Sequence, residues 1–388
     1  MNRRDFLKAS GIALFTMQSI PSFLSSAREQ AKGDKTLVVI QLGGGNDGLN
    51  TLAPFSNDAY YAARPTIALS KREVIPVSAD LGMHPNLRSL AKFFDDGELA
   101  WIQNVGYPNS NRSHFASMAV WHTASPEASS SSGWIGRVAA QVGDPLCASN
   151  IGNSTPLAFQ SESIVSPSIS NVDGFELMFG EHLQGHFQKM LAGSREGERA
   201  FVQRSMEQML ENTQKVQARL GNYRGAVNYP KTDLAYRLQQ TAKLIATGLG
   251  QKVLYVSVGG FDTHANERPV HDTLMLQLAE GLTAFQQDLE AQGLSEQVMI
   301  LAFSEFGRRV AENGSEGTDH GQGGVMFALG KGVKGGIYGD LPDLETLEDG
   351  DIKYQQDFRG VYARVLDDWL GIPSQDILGG NFGGPEFI

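Results

Sequence analysis

Val298-Met299-Ile300-Leu301-Ala302-Phe303 is an apolar run that stops abruptly at Ser304-Glu305-Phe306-Gly307-Arg308-Arg309. Such a run reads as a parallel strand buried on both faces and opening onto a polar loop. Further along stand Thr318-Asp319-His320-Gly321, and a second apolar run follows, Gly324-Val325-Met326-Phe327-Ala328-Leu329. An acid and a histidine therefore flank one loop between two predicted strands. The arrangement recurs where Leu37-Val38-Val39-Ile40-Gln41-Leu42 meets Gly43-Gly44-Gly45-Asn46-Asp47-Gly48. It recurs again where Val253-Leu254-Tyr255-Val256-Ser257-Val258 meets Gly259-Gly260-Phe261-Asp262-Thr263-His264. Loops at strand ends are where open α/β sheets keep their chemistry. Three apolar strands, each ending in a carboxylate or a histidine, imply one shared cation site.

Between these strands the periodicity turns helical. Leu87 to Phe94, Ala116 to His122 and a segment from about Gly133 read as helices, and Leu99 to Val105 as a further strand. Leu234, Leu238, Ala242, Ile245 and Leu249 form an apolar stripe that feeds the Val253 strand, and Val270 through Leu289 form another. Strands and helices alternate, which predicts an α/β fold: a doubly wound, mostly parallel sheet with helices on both faces. Residues from about 150 to 230 read as a helical insertion. It holds a strand over Pro156 to Gln160 and a long polar helix from about Ser194 to Leu220.

The chain has 388 residues, 41% of them hydrophobic and 19% charged, enough for one large α/β domain and unlike a disordered or repetitive chain. A net charge of −11 without clustered Lys and Arg argues against nucleic acid as a partner. The single Cys147 closes no intrachain disulfide and has no CxxC neighbour, so any metal must be held by oxygen and imidazole. At the N-terminus, Asn2-Arg3-Arg4-Asp5-Phe6-Leu7-Lys8 is a twin-arginine motif, followed by an apolar stretch from Gly11 to Leu24 and the small residues Ser25-Ser26-Ala27. That stretch contains Gln18 and Pro21 and falls short of the roughly 20 residues a bilayer span needs. Residues 1–27 are thus expected to be an export signal read by the twin-arginine translocase. Residues 28–388 would be the mature periplasmic or otherwise exported chain, without a stable membrane anchor.

Ser113, in Asn109-Ser110-Asn111-Arg112-Ser113-His114-Phe115, falls at a predicted helix N-terminus, where amides and dipole favour an anion. It is either the nucleophile for a phosphate or sulfate group, with Arg112 as an added donor, or simply the helix cap. Gly43 to Gly48 satisfies a literal GxGxxG, but Asp47 inside it would oppose a pyrophosphate, and no second strand ending in an acid follows. A coordinated cation explains the aspartate better.

Taken together, GGGNDGLNT, NRSHF, GGFDTH, SEFGRR and GTDHGQGG behind a twin-arginine signal resemble the bacterial exported family labelled domain of unknown function 1501. That family is similar to the alkaline phosphatase and sulfatase superfamily. The resemblance covers nearly the whole mature chain and implies a single alkaline-phosphatase-like domain over 28–388, with a site for one or two divalent metals, zinc or manganese. It implies metal ligation by Asp47, Asp262, His264, Glu305 and His320, with Ser113 as nucleophile and Arg112 beside it. Asp319 is either a further ligand or orients His320 from behind. Arg112, Arg308 and Arg309 are either anion binders or structural counter-ions. His122 and His271 carry no assigned role. The absence of Cys-x-Pro-Ser-Arg argues against a formylglycine mechanism. The expected function is an exported metal-dependent hydrolase or transferase of phosphate or sulfate esters. The alternative is a non-catalytic cell-envelope binding or assembly protein on the same scaffold.

Overall fold

The computed structural model describes residues 35–125, 130–172, 223 and 225–388, with isolated positions between 207 and 219. The N-terminal signal and nearly all of the helix expected from Ser194 to Leu220 lie outside the described residues. The main sheet takes Thr36–Leu42 (β1), Leu99–Gly106 (β2), Ala148–Ile151 (β3), Val253–Val258 (β4), Val298–Phe303 (β5), Gly324–Leu329 (β6), Gly336–Tyr338 (β7) and Gln356–Asp357 (β8). Its order is β7-β2-β6-β5-β1-β4-β3, with β8 also pairing β2.

A central strand with apolar side chains on both faces has to be covered on both sides. Leu37 and Val39 of β1 project into one core, and Val38 and Ile40 into another; all four are fully buried. The first core is closed by the helices His114–Thr123 (α1), Trp134–Val142 (α2) and Phe358–Arg364 (α5). The second is closed by Asp233–Ala246 (α3) and Glu267–Ala291 (α4), whose Leu238, Leu278, Leu282 and Phe285 meet it. Trp121 of α1 stacks on Phe303 at the end of β5 (4.9 Å, 14° between planes) and on Phe358 of α5 (4.3 Å, 27°). Each such pair adds about 0.5–1.5 kcal/mol beyond the area it buries, so α1 is held against β5 by geometry as well as by burial.

Every pairing in this sheet is parallel except those of β6, which runs antiparallel to both β5 and β2. This one reversal positions the chemistry. The chain leaves the sheet at the C-terminal end of β5 and re-enters from the same edge as β6, so Glu305 and His320 are brought to one edge. A bridge between Arg308 and His320 closes the base of the loop. The C-terminal ends of β1, β2 and β4 lie at that edge too.

Two expectations need correction. Pro156 to Gln160 is a 3-10 turn over Leu157–Phe159: the fixed φ of Pro156 starts it, and the Phe159 and Gln160 amides turn back onto the Pro156 and Leu157 carbonyls (both 3.0 Å). The strand lies earlier, at Ala148–Ile151. The helix expected over Leu87 to Phe94 begins as a 3-10 stretch, Pro85–Leu90, and becomes α-helical only at Ala91–Asp95. Among the described residues no helix is long and apolar enough to cross a membrane.

Candidate metal centre

Four side chains delivered by three segments meet at the sheet edge. Asp262 and His264 follow β4, His320 precedes β6, and His114 opens α1 after β2. The Asp262 carboxylate is the hub: Oδ1 lies 3.1 Å from His264 Nε2 and 3.1 Å from His320 Nε2, and Oδ2 lies 3.4 Å from His114 Nε2. His114, Asp262 and His320 offer ligand atoms within 4.8 Å of one another. His264 Nε2 adds a fourth, 2.9 Å from His320 Nε2.

The far side of each ring fixes what the near side can do. His320 Nδ1 is 2.8 Å from the Arg112 carbonyl, which can only accept, so that nitrogen carries a proton. His114 Nδ1 faces Glu305 Oε1 at 2.9 Å, and His264 Nδ1 faces Asp319 Oδ1 at 3.1 Å. A carboxylate behind an imidazole imposes the same tautomer. A neutral ring protonated at Nδ1 presents a lone pair at Nε2. Three such lone pairs and a carboxylate then face one another, and the two Nε2 atoms at 2.9 Å repel unless a proton or a cation lies between them. Imidazole and carboxylate donors without thiolate, each ring oriented by an oxygen behind it, fit a divalent ion such as zinc or manganese.

Burial raises the Asp262 carboxyl, but the Arg308 and His320 hydrogen bonds and the charges of Arg308 and His264 outweigh it and bring it down to about 2. Asp319 is lowered as well, first by its hydrogen bond with His264 and then by Asn313. Both stay anionic in ordinary buffers.

Arg308 is fully buried and ties the loops together. Its Nε donates to the Gly45 carbonyl (2.6 Å) and Nη1 to the Thr318 carbonyl (2.8 Å). Nη2 donates to the carbonyls of Gly44 and Phe261 and to Asp262 Oδ1 (2.8 Å). Gly44, at φ +122, is where the loops after β1 and β4 touch: a Cβ there would stand 2.4 Å from the Asp262 amide nitrogen. The Gly44 amide donates to Glu305 Oε1 at 2.8 Å. The Glu305 carbonyl accepts from Trp121 Nε1 (2.8 Å) and Ser117 Oγ (2.5 Å), so α1 fixes the backbone on which that carboxylate sits.

Of the residues singled out from sequence, the structure brings together Asp262, His264 and His320. Glu305, expected as a ligand, stands behind His114, its Oε1 shared between that ring and the Gly44 amide, and so orients the ring. Asp319 backs His264 and not His320. Asp47, expected as a ligand, lies apart from the cluster: it is buried and gripped by Arg64 at 2.5 and 3.0 Å, and it accepts the Leu49 amide at 3.2 Å. A guanidinium occupies the place expected of a cation. Arg112 turns its guanidinium onto Asp351 (3.0 and 2.5 Å) and gives only its carbonyl to the site. Arg308, too, is no surface anion binder but a buried clamp. Ser113 takes the N-cap position of α1, yet its exposed hydroxyl makes no capping bond, and its amide is held by Asn111 Oδ1 at 2.8 Å.

His114 is the residue sequence reasoning missed. Its signal was its place: a histidine at the first turn of a helix that follows a strand end, directly after the candidate nucleophile.

The family model described as "Protein of unknown function (DUF1501)" matches residues 166–359. No curated protein matches the chain. Among solved structures, the PsFucS1 sulfatase from Pseudoalteromonas sp. is 12% identical over 94% of this chain and 75% of that one, with a TM-score of 0.40. The lipoteichoic acid synthase LtaP from Listeria monocytogenes is 11% identical over 97% and 82%, at 0.41. The phosphonate monoester hydrolase of Agrobacterium radiobacter is 9% identical over 91% and 78%, at 0.38. Likenesses this faint decide nothing about what the present chain acts on.

The Asp47 group sets a pH dependence. Burial, then the charge and hydrogen bond of Asp47, raise Glu267 well above its ordinary 4.5, so it keeps its proton in the fold. Unfolding then releases a proton, and stability contributed here falls as pH rises above the unfolded value. Denaturation midpoints of wild type relative to Glu267→Gln should therefore decline between about pH 5 and pH 8. Parallel curves would mean that Glu267 is ionised in the folded chain.

Proposed function

Because the chain belongs to the family described as protein of unknown function (DUF1501), its activity has to be read from its own site, and we propose a metal-dependent hydrolase or transferase of phosphate or sulfate esters. The observation that carries this reading is the convergence of three imidazole Nε2 atoms on Asp262 with every Nδ1 bound to oxygen. In it, His114, Asp262, His264 and His320 hold the ion, while Glu305, Asp319 and the Arg112 carbonyl keep the rings in their tautomers. A divalent cation there supplies Lewis acidity toward ester oxygens and lowers the pKa of a hydroxyl or water that it binds.

Ser113 is the attacking group in this proposal. Its hydroxyl is exposed, makes no cap, and opens α1, whose free amides and dipole favour an anionic group. Ser113 Oγ forms a bond to phosphorus or sulfur as the alcohol oxygen of the ester leaves. Water, or a second alcohol in a transfer reaction, then breaks the serine ester and restores the hydroxyl. We also propose that Arg3 and Arg4 send the chain through the twin-arginine translocase to the periplasm.

Protein purified without chelator should carry about one or two divalent ions by elemental analysis, and His320→Ala should weaken zinc binding in calorimetry by at least about tenfold. A chain that took up no zinc and whose melting ignored chelator would leave a shared-proton network at Asp262 and end the metal reading. Ser113→Ala should keep ion content and change stability by no more than about 0.5 kcal/mol, yet lose turnover on a panel of phosphate and sulfate esters by orders of magnitude. Full turnover in that variant would pass the attack to water. Normal metal binding with no turnover in wild type would favour the non-catalytic envelope protein instead. Changing Arg3 and Arg4 together to Lys should leave the precursor in the cytoplasm; mature double variant in a periplasmic fraction would refute the export assignment.

A further inference from the structure

A surface helix ordinarily has one apolar face, and α1 has two. Ser117, Val120 and Trp121 turn inward and are buried. Phe115, Met118, Ala119 and His122, spaced i, i+3, i+4 and i+7, form a second stripe: Phe115 is exposed, Met118 and Ala119 are half-buried with Met118 also packed against the first core, and His122 is buried. That stripe lines an open cavity of about 600 Å³, with Leu157 also at its wall and His114, Asp262 and Glu305 among its lining. Phe115 is 91% exposed, an exposure that core packing gives no reason for.

Two side-chain groups of the cavity wall away from the cluster, His122 and the Gln41 carbonyl oxygen, are turned onto the buried Tyr255 hydroxyl. The Tyr255 hydroxyl donates to Gln41 Oε1, and His122 Nε2 lies 3.0 Å from the Tyr255 oxygen and 3.2 Å from Gln41 Oε1. Burial brings His122 down to about 4, so it is neutral. Charge in the cavity is confined to the end at the metal centre. A sugar or glycerol group seated along the stripe would leave hydroxyls facing carbon, where an unpaired hydroxyl is costly. An apolar group there would cover exposed Phe115 and the part of Met118 that the core leaves open.

Resting on the ester reading above, we propose that this cavity receives the alcohol part of the substrate and that this part is apolar, an aromatic ring or short hydrocarbon chain next to the phosphate or sulfate. Phe115 and Met118 are then specificity residues, set one helical turn apart along the path away from His114.

The test is equilibrium binding of 1-naphthyl phosphate and methyl phosphate to the purified chain, with zinc and with chelator. With zinc, the naphthyl ester should bind at least about tenfold tighter, and in Phe115→Ser and Met118→Ser that ratio should shrink toward one. Phe115 already stands in solvent, so its variant should melt like wild type. Equal affinities for the two esters, no binding of either, or a ratio unaffected by Phe115→Ser would overturn the inference. A drop in oligomeric state in Phe115→Ser with the ratio intact would overturn it as well, because the stripe would then be a self-association face. Chelator separates the two readings: if it weakens both esters alike, both readings stand. If it weakens neither while the naphthyl preference persists, the cation reading falls and the apolar cavity remains.

Discussion

The geometry of this site depends on one buried guanidinium. Arg308 is out of water entirely, and a charge so placed is tolerable only when its donors are all engaged. They are engaged by the carbonyls of Gly44, Gly45, Phe261 and Thr318 and by the Asp262 carboxylate. Those groups belong to the loops after β1 and β4 and the loop leading into β6, so satisfying the arginine fixes three loops relative to one another. It also pins Asp262 Oδ1 from one side and leaves the imidazoles the other. A lysine has neither five donors nor the planar fork to reach all of these at once.

Asp47 and Asp262 look alike in sequence, each in a Gly-rich loop after a buried strand, and the fold assigns them opposite tasks. Both oxygens of Asp47 go to Arg64 inside the protein, so its charge is neutralised on the spot and serves packing. Asp262 is about half exposed: Arg308 reaches only Oδ1, which it shares with His264 and His320, and Oδ2 faces His114 without an arginine. The difference lies in the location of the arginine. Arg64 sits 17 positions from Asp47 with nothing in the local pattern to mark it as a partner.

The strands were legible because a strand buried on both faces writes itself as an unbroken apolar run, and the edge they share followed from the acids and histidines at their ends. Direction was not legible. An apolar run reads the same whichever way it lies, so the reversal of β6, which brings His320 back beside Asp262, had to come from the structure. Pro156 heads a stretch, Leu157-Ala158-Phe159, whose apolar character suits a strand, but its fixed φ and missing amide favour the turn that forms. Ser113 does stand at its helix terminus, yet whether its hydroxyl caps that helix depends on its side-chain rotation, which the sequence does not encode. The roles of Glu305 and Asp319 turned on which ring each oxygen reaches, a matter of ångströms that spacing along the chain does not encode.

The oxygens that hold the rings form a reciprocal latch. The His114 ring is held by Glu305 from the loop between β5 and β6, and the His320 ring, from that same loop, is held by the Arg112 carbonyl at the entry to α1. Each segment aims the other's imidazole across about 200 residues of sequence. A chain still emerging from the ribosome, with β6 unmade, would possess His114 and Asp262 but not the loop that turns them into a site. The cluster is then a property of the finished fold and not of the nascent chain.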